Sequence, residues 1–390
     1  MSRDIALYIH IPFCRRKCHY CSFVSYAKRE ADIPLYLDAL KNELKQRAGD
    51  ECIRSLYLGG GTPSLLPVKD IGDLLSLIRA LFTIDEAAEI SMEANPGTID
   101  AAYLAAIRQL GVNRLSLGVQ SFSDRELKML GRIHTAAEAR DAVRFARAAG
   151  FDNLNLDLIY GLPGQTLAEW RYSLDEALVL GCEHLSLYGL TLEAETPMWT
   201  TIKEGSLPEI DPDMAADQYE LAEDLLAANG YNHYEISNWA SKGKECCHNL
   251  TYWHNLPYIG VGAAAHSCLD GRRSANCESL DKYIIDYSGK TLPLPELDEK
   301  IGPELELAET AILGLRLGEG IDADYLQRRF NIDILAHYRR QVEEMAGAGL
   351  LERTNRNIRL TRHGRLLSNE VFWRFLPDNP GCKILQRSQP

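Results

Sequence analysis

Between Ile5 and Thr191, short apolar runs alternate with stretches whose apolar positions recur at helical spacing. That alternation predicts strands feeding helices and a parallel sheet, because parallel strands need a crossover between them. The candidate strands are Ile5–Ile11, Ser55–Leu58, Glu89–Ala94, Arg114–Gln120, Asn153–Tyr160 and His184–Thr191. Thr135 with Glu138, Thr166 with Glu169 and Ser123 with Glu126 each read as a capping box, which marks a helix start. Six β/α units in succession predict an α/β fold, a partial (β/α)6 TIM-like barrel with its helices outside the sheet.

Polar residues gather at the C-terminal ends of these runs: Gly59-Gly60-Gly61-Thr62, Glu93, Gln120, Asp157 and Thr191. In a β/α barrel those ends share one rim, and sites form there. One polar end could simply mark where a strand meets water; several in register argue for a site. Asp157 lies inside an apolar run, where an unpaired charge is costly.

Past Thr191 the pattern loosens. Asp211-Pro212 opens a helix to about Asn229, and residues 231–290, rich in aromatics and Gly, read as irregular. From Pro303 come helical stretches at 303–316, 322–329 and 333–346, paired strands at 350–353 and 357–360, and a last helix. The chain therefore divides into a barrel (1–230), an irregular segment (231–300), a winged-helix-like α+β unit (301–376) and a tail (377–390).

Winged helices often bind DNA, but residues 301–376 hold 11 Arg and no Lys against 11 acidic residues, and the chain's net charge is −13. Without a basic excess no nucleic-acid partner is expected, and the unit reads as a packing or docking module. No run approaches the roughly 18 apolar residues of a membrane span. Met1-Ser2-Arg3-Asp4 leads straight into a strand without a signal peptide, so the cytoplasm is the expected location. In that setting the ten cysteines are thiols or metal ligands rather than disulfides. Cys52, Cys182, Cys268, Cys277 and Cys382 are scattered and read as buried or idle thiols.

The other cysteines include Cys14, Cys18 and Cys21, spaced C-x3-C-x2-C directly after the first strand. Thiolates hold iron–sulfur clusters, and a cubane normally takes four, so three leave one iron open to a ligand. Arg15, Arg16 and Lys17 beside them favour thiolate over thiol. Structural zinc is the competing reading, but it wants four ligands, and His19 lies inside the motif, where it would crowd the loop.

This spacing after a strand resembles the signature of the radical SAM superfamily, whose 4Fe-4S cluster binds S-adenosylmethionine (SAM) on its open iron. Gly59-Gly60-Gly61-Thr62-Pro63 resembles that superfamily's GGE-type motif, where bare backbone approaches the methionine amino group. Leu7-Tyr8-Ile9-His10-Ile11-Pro12-Phe13-Cys14, together with Gly59–Pro63, Gly118-Val119-Gln120-Ser121-Phe122 and Asp157-Leu158-Ile159-Tyr160-Gly161-Leu162-Pro163, is similar to the oxygen-independent coproporphyrinogen III oxidase group. The resemblance implies that Tyr8, Tyr20, Gly60, Gly61, Thr62, Glu93, Gln120, Arg132, Asp157 and Thr191 line the SAM site, with Arg132 meeting the methionine carboxylate.

Two branches share this framework. Oxidases carry a further cysteine two residues after the third ligand and a long N-terminal extension; here that position is Phe23 and the first strand begins almost at Met1. The other branch, the HemW-type heme chaperones, is marked by HNxxYW, present as His248-Asn249-Leu250-Thr251-Tyr252-Trp253. The resemblance then implies heme bound between the rim and residues 231–270 and handed to acceptor proteins, respiratory enzymes among them. Cluster and SAM would support transfer or formation of a homodimer. An imidazole is a standard axial ligand to heme iron, so His248 is the expected ligand. Cys246, Cys247, His254 and His266 are its neighbouring alternatives. A porphyrinogen decarboxylase and a different radical SAM enzyme, such as a methyltransferase or an RNA-modifying enzyme, are the rival readings.

Overall fold

The computed structural model describes residues 3–289, 291–354 and 356–377; Cys382 and the tail from residue 378 lie outside the described residues. Six strands form the barrel wall: β1 (Asp4–Ile11), β2 (Cys52–Gly60), β3 (Thr83–Ala94), β4 (Arg114–Gln120), β5 (Leu154–Tyr160) and β6 (His184–Gly189). They lie side by side in chain order, all parallel.

Side chains on a strand alternate between its faces, and here the two faces have opposite chemistry. Leu7, Ile9, Leu56, Leu58, Met92, Leu115, Leu117, Leu156 and Leu158 are fully buried on the outer face, in the main apolar core beneath the helices. The register sets Tyr8 beside Tyr57 and Tyr57 beside Ser91, then Ser116 beside Asn155 and Asp157 beside Ser186. The inner face is thus polar along its whole length, not only at the rim.

Helix starts follow local sequence with one exception. The boxes at Thr135–Glu138 and Thr166–Glu169 are both complete. Ser123 makes no side-chain cap, because Glu126 is buried and accepts instead from Ser121 Oγ at 2.6 Å and Gln165 Nε2 at 3.2 Å.

The segment read as irregular is the main correction. Residues 231–300 supply β7 (Asn232–Glu235), β8 (Asn238–Ala240), β9 (Tyr258–Val261), β10 (His266–Leu269), β11 (Arg272–Ala275) and β12 (Leu297–Lys300). They extend the sheet at both edges, in the order β12-β11-β10-β9-β1-β2-β3-β4-β5-β6-β8-β7. Strands of three or four residues carry too little periodicity to stand out in the sequence. β9 runs parallel to β1, and the loop after it is fixed by the fully buried Glu43. That carboxylate accepts from Gly262 N at 2.9 Å, Asn276 Nδ2 at 2.8 Å, Tyr283 Oη at 2.6 Å and Arg47 Nε at 2.7 Å.

The C-terminal unit has its own apolar core and a three-stranded sheet, as a winged helix requires. The stretch expected as one helix at 333–346 is two, Ile334–His337 and Arg339–Gly347, and a third strand, Ile321–Asp322, joins the predicted pair. The unit's arginines face the barrel's acids: Arg362 pairs with Asp224 at 2.7 Å and Arg365 with Glu223 at 2.7 Å. No helix among the described residues is long and apolar enough to cross a membrane.

Replacing Glu43 with Ala strands four donors in the interior. We expect a loss of about 3–5 kcal/mol, the range for breaking a buried charge pair. Urea denaturation measures it, and a loss no larger than that of an exposed Glu→Ala control would remove Glu43 as the anchor.

Candidate functional site

The cysteine loop leaves β1 and is closed by a two-residue bridge between Phe13–Cys14 and Tyr26–Ala27. Cys14, Cys18 and Cys21 are half-buried, and all nine described cysteines are free. Thr62 Oγ1 donates to Cys14 Sγ at 3.6 Å, and Arg132 Nη1 to Cys18 Sγ at 3.2 Å. Arg15, Arg16 and Lys17 do not act mainly on the thiols as expected. They donate to carbonyls: Arg15 to Gly97, Arg16 to Gly131 and Arg132, Lys17 to Phe23. The two arginines staple the loop to the barrel, and Lys17 closes the loop on itself. Burial raises the Cys14 thiol and pushes Cys21 up to about 11, with Lys17 opposing weakly at Cys21.

Among the described residues no three Cys, His, Asp or Glu side chains converge closely enough to hold one ion. The surroundings fit a cofactor on this loop. At Gly60 φ is +113°, and a Cβ would sit 2.6 Å from the His10 ring; at Gly61 it would sit 2.8 Å from the Phe13 carbonyl. Neither position can carry a side chain, so bare backbone faces the loop. Arg132 is fixed by Gly118 O at 2.6 Å, yet its Nε is buried without a partner, a free donor beside the thiols.

The register brings Tyr8, Glu93 and Asp157 to the inner face. Glu93 accepts from Tyr57 Oη and Gly60 N, each at 3.0 Å. Asp157 accepts from Asn155 Nδ2 at 2.8 Å and Ser116 Oγ at 3.1 Å. Burial raises both carboxyls, and the Asp157 charge helps push Glu93 up to about 7. Gln120 ends β4 with φ +69°, a conformation costly for a side-chain-bearing residue and common where function demands it. Tyr20 sits in the cysteine loop within the field of Arg132. The strand expected to run to Thr191 ends at Gly189, and Thr191 is exposed beyond it. The chain turns there so that Leu190 and Leu192 pack near Leu162 and Met198.

His248 lies at the other end of the barrel. The helix Cys247–Trp253 that carries it plugs the N-terminal mouth, its first amides held by Glu89 of β3. Glu89 accepts from Cys247 N at 3.1 Å and His248 N at 3.4 Å. The His248 ring is 2% exposed, bonded through Nδ1 to Ser55 Oγ at 3.0 Å and through Nε2 to Tyr252 Oη at 2.9 Å. It packs 5.0 Å from the Tyr57 ring and 6.2 Å from Tyr8. Burial, helped by Arg114, lowers its pKa to about 3, so the imidazole is neutral. It forms the floor beneath the rim residues rather than part of the rim. Cys246 is buried against Glu89, Cys247 and His266 are exposed, and His254 is half-buried past the helix end.

Several inner residues were not anticipated: Ser55, Tyr57, Glu89, Arg114, Asn155 and His184. Their signal was present, as alternation of polar and apolar residues in Ser55–Gly59, Arg114–Gln120 and His184–Tyr188.

Residues 8–177 match the radical SAM superfamily and residues 301–367 the HemN C-terminal domain. The fold is that of the coproporphyrinogen III oxidase HemN from Escherichia coli, with TM-score 0.84 and 25% identity over 96% of this chain and 90% of that one. The chain is therefore a radical SAM protein. Within that class it is 36% identical to the heme chaperone HemW of Bacillus subtilis (strain 168), over 95% of this chain and 98% of that protein. It is 44% identical to the Escherichia coli (strain K12) heme chaperone HemW, over 69% and 72%. A mouse relative, radical S-adenosyl methionine domain-containing protein 1, mitochondrial, is 32% identical over 96% and 88%. The chain belongs to the HemW heme chaperone family.

Because Glu93 holds its proton to about pH 7 in the folded protein and to about 4.5 when unfolded, the native state binds the extra proton between those values. Its contribution to stability therefore falls as pH rises through that window. In cofactor-free protein, Glu93→Gln should remove part of this slope, read by urea denaturation at pH 5 and 7.5. An unaltered slope would contradict the raised carboxyl.

Proposed function

We propose that this chain binds heme as cargo and passes it to acceptor proteins, with a 4Fe-4S cluster on Cys14, Cys18 and Cys21 and SAM at the rim above the barrel interior. The observation that carries the reading is the HNxxYW helix, which sets a neutral imidazole among Tyr8, Tyr57 and Tyr252 inside a chain of this family. A neutral ring is the form that ligates iron. Both ring nitrogens are already bonded, so for His248 to ligate heme iron the Tyr252 bond must open and the helix must shift. Phe23, in place of the oxidase group's additional cysteine, speaks against porphyrinogen decarboxylation.

When bound, the cluster supplies an open iron for SAM. Around it, this chain offers the bare backbone of Gly60 and Gly61, the Thr62 hydroxyl on Cys14, and the free Nε of Arg132 for a carboxylate. Glu93 and Asp157 suit hydroxyl and cationic groups, with Tyr8, Tyr20 and Gln120 completing the wall. Thr191, exposed just beyond the end of β6, belongs to the same proposed wall. The reading places the protein in the cytoplasm, with respiratory enzymes among its acceptors and a homodimer as one working form.

Anaerobically reconstituted protein should take up heme near one equivalent, transfer it to an apo-acceptor, and leave coproporphyrinogen III unchanged in the presence of SAM and a reductant. Porphyrinogen turnover without heme uptake would overturn the proposal. His248→Ala should weaken heme binding at least tenfold while keeping the iron–sulfur absorbance, and Cys14→Ser, Cys18→Ser or Cys21→Ser should bleach it. An unchanged Soret titration in His248→Ala would take that residue out of the site.

A further inference from the structure

The HNxxYW helix is short, and its side chains alone do not hold it. Its N-terminal amides rest on Glu89 from the barrel, as described. Its C-terminal end is held by the other unit. Arg329, on the helix Ala323–Phe330, donates through Nη1 to the His254 carbonyl at 3.2 Å and through Nη2 to the Asn255 carbonyl at 3.0 Å. His254 caps this helix and Asn255 follows it, so the guanidinium stands at the negative end of the helix, where a cation is favoured. Arg329 is itself aimed by Glu306 at 3.0 Å and Tyr325 Oη at 3.1 Å.

A second contact lies at the adjoining residue. The guanidinium of Arg316, at the end of the helix Pro303–Arg316, stands 4.3 Å from the centre of the Trp253 ring. A guanidinium over an indole face is attracted by the ring's negative face. Arg316 also reaches Glu235 of β7 at 3.7 Å, and Asn255 Nδ2 donates to Thr310 Oγ1 of the same helix at 2.9 Å. Asn255 adopts φ +49°, which turns the chain out of the helix toward these partners.

The motif's first and last residues are thus fixed from different parts of the molecule: His248 by Ser55 and Glu89 of the barrel, Trp253 and the carbonyls behind it by two arginines of the C-terminal unit. Tyr252, which bonds His248 Nε2, sits next to Trp253. We propose that Arg329 and Arg316 are positioning residues for heme uptake, through which the C-terminal unit sets the register of the HNxxYW helix and the bond between Tyr252 and His248. This rests on the heme reading above and gives the C-terminal unit a role at the heme site without contact with the iron.

The test uses the full chain with its cluster reconstituted, in Arg329→Ala, Arg316→Ala and the double variant. Amide hydrogen exchange of residues 246–254 should quicken at least tenfold, while barrel strands β1–β6 exchange as in the parent. Because the Tyr252 bond must open before His248 can reach iron, heme titration of the same samples should show affinity raised at least tenfold and a shifted Soret maximum, with iron–sulfur absorbance unchanged. Arg329→Lys, which keeps the charge but not the forked geometry, should return both part of the way to the parent. Unchanged exchange at 246–254 together with unchanged heme affinity in the double variant would overturn the proposal. So would equal losses of cluster and heme, which mark a general folding defect. If the double variant does not fold, Arg329→Lys and Trp253→Phe carry the same two readouts. A parent protein that takes up no heme refutes the heme reading itself, whereas the exchange result reports separately on whether the arginines hold the helix.

Discussion

The barrel depends on a constraint that its apolar shell imposes: a polar group on the inner face is costly unless a neighbouring strand supplies a partner. An unpaired buried donor or acceptor costs about 1–3 kcal/mol, more for a charge. The interior answers with a linked set. Asp157 takes donors from Ser116 and Asn155, Asn155 accepts from His184 Nδ1 at 2.6 Å or from Ser186, and His184 meets Tyr234 Oη at 2.8 Å. Tyr234 in turn reaches the backbone of Cys246. Rim, interior and floor are therefore one hydrogen-bonded body, and the carboxylates near the cysteine loop are held by groups that also touch the HNxxYW helix.

This organisation separates two tasks along the barrel axis. The C-terminal rim carries thiols, bare glycine backbone and Arg132; the N-terminal mouth carries the neutral imidazole and its tyrosines. Tyr8 and Tyr57 stand between them, stacked at 6.2 Å, with Tyr57 bonded upward to Glu93 and packed downward on His248. A ligand at the rim and a rearrangement at the floor would both act on this aromatic pair, which gives the two ends a physical route of communication.

Much of this was legible in the sequence. The six strand positions, the cysteine spacing and the C-terminal unit followed from periodicity and motif, because long alternating elements write a strong pattern. What escaped had specific causes. Ser123 and Glu126 have the spacing of a capping box, yet a tertiary partner, Gln165, competes for the carboxylate. Residues 231–300 hold strands too short to show a period. The basic trio beside Cys14 looked electrostatic in one dimension; only the fold reveals the carbonyls of Gly97 and Gly131 waiting for it. Heme was expected between the rim and residues 231–270, while Glu89, which draws the His248 helix to the opposite mouth, is an unremarkable acid in the sequence.

The parallel pairing of β9 with β1 brings together residues such as Leu7 and Ile259 from distant parts of the chain. During synthesis β1 emerges first and keeps one edge unpaired until most of the polypeptide has left the ribosome, and such long-range pairings form slowly. An open edge rich in isoleucine and leucine invites association with other nascent chains. The cysteine loop hangs directly from that strand, so the loop must either wait for the late-made strand or take shape on a scaffold whose wall is still incomplete.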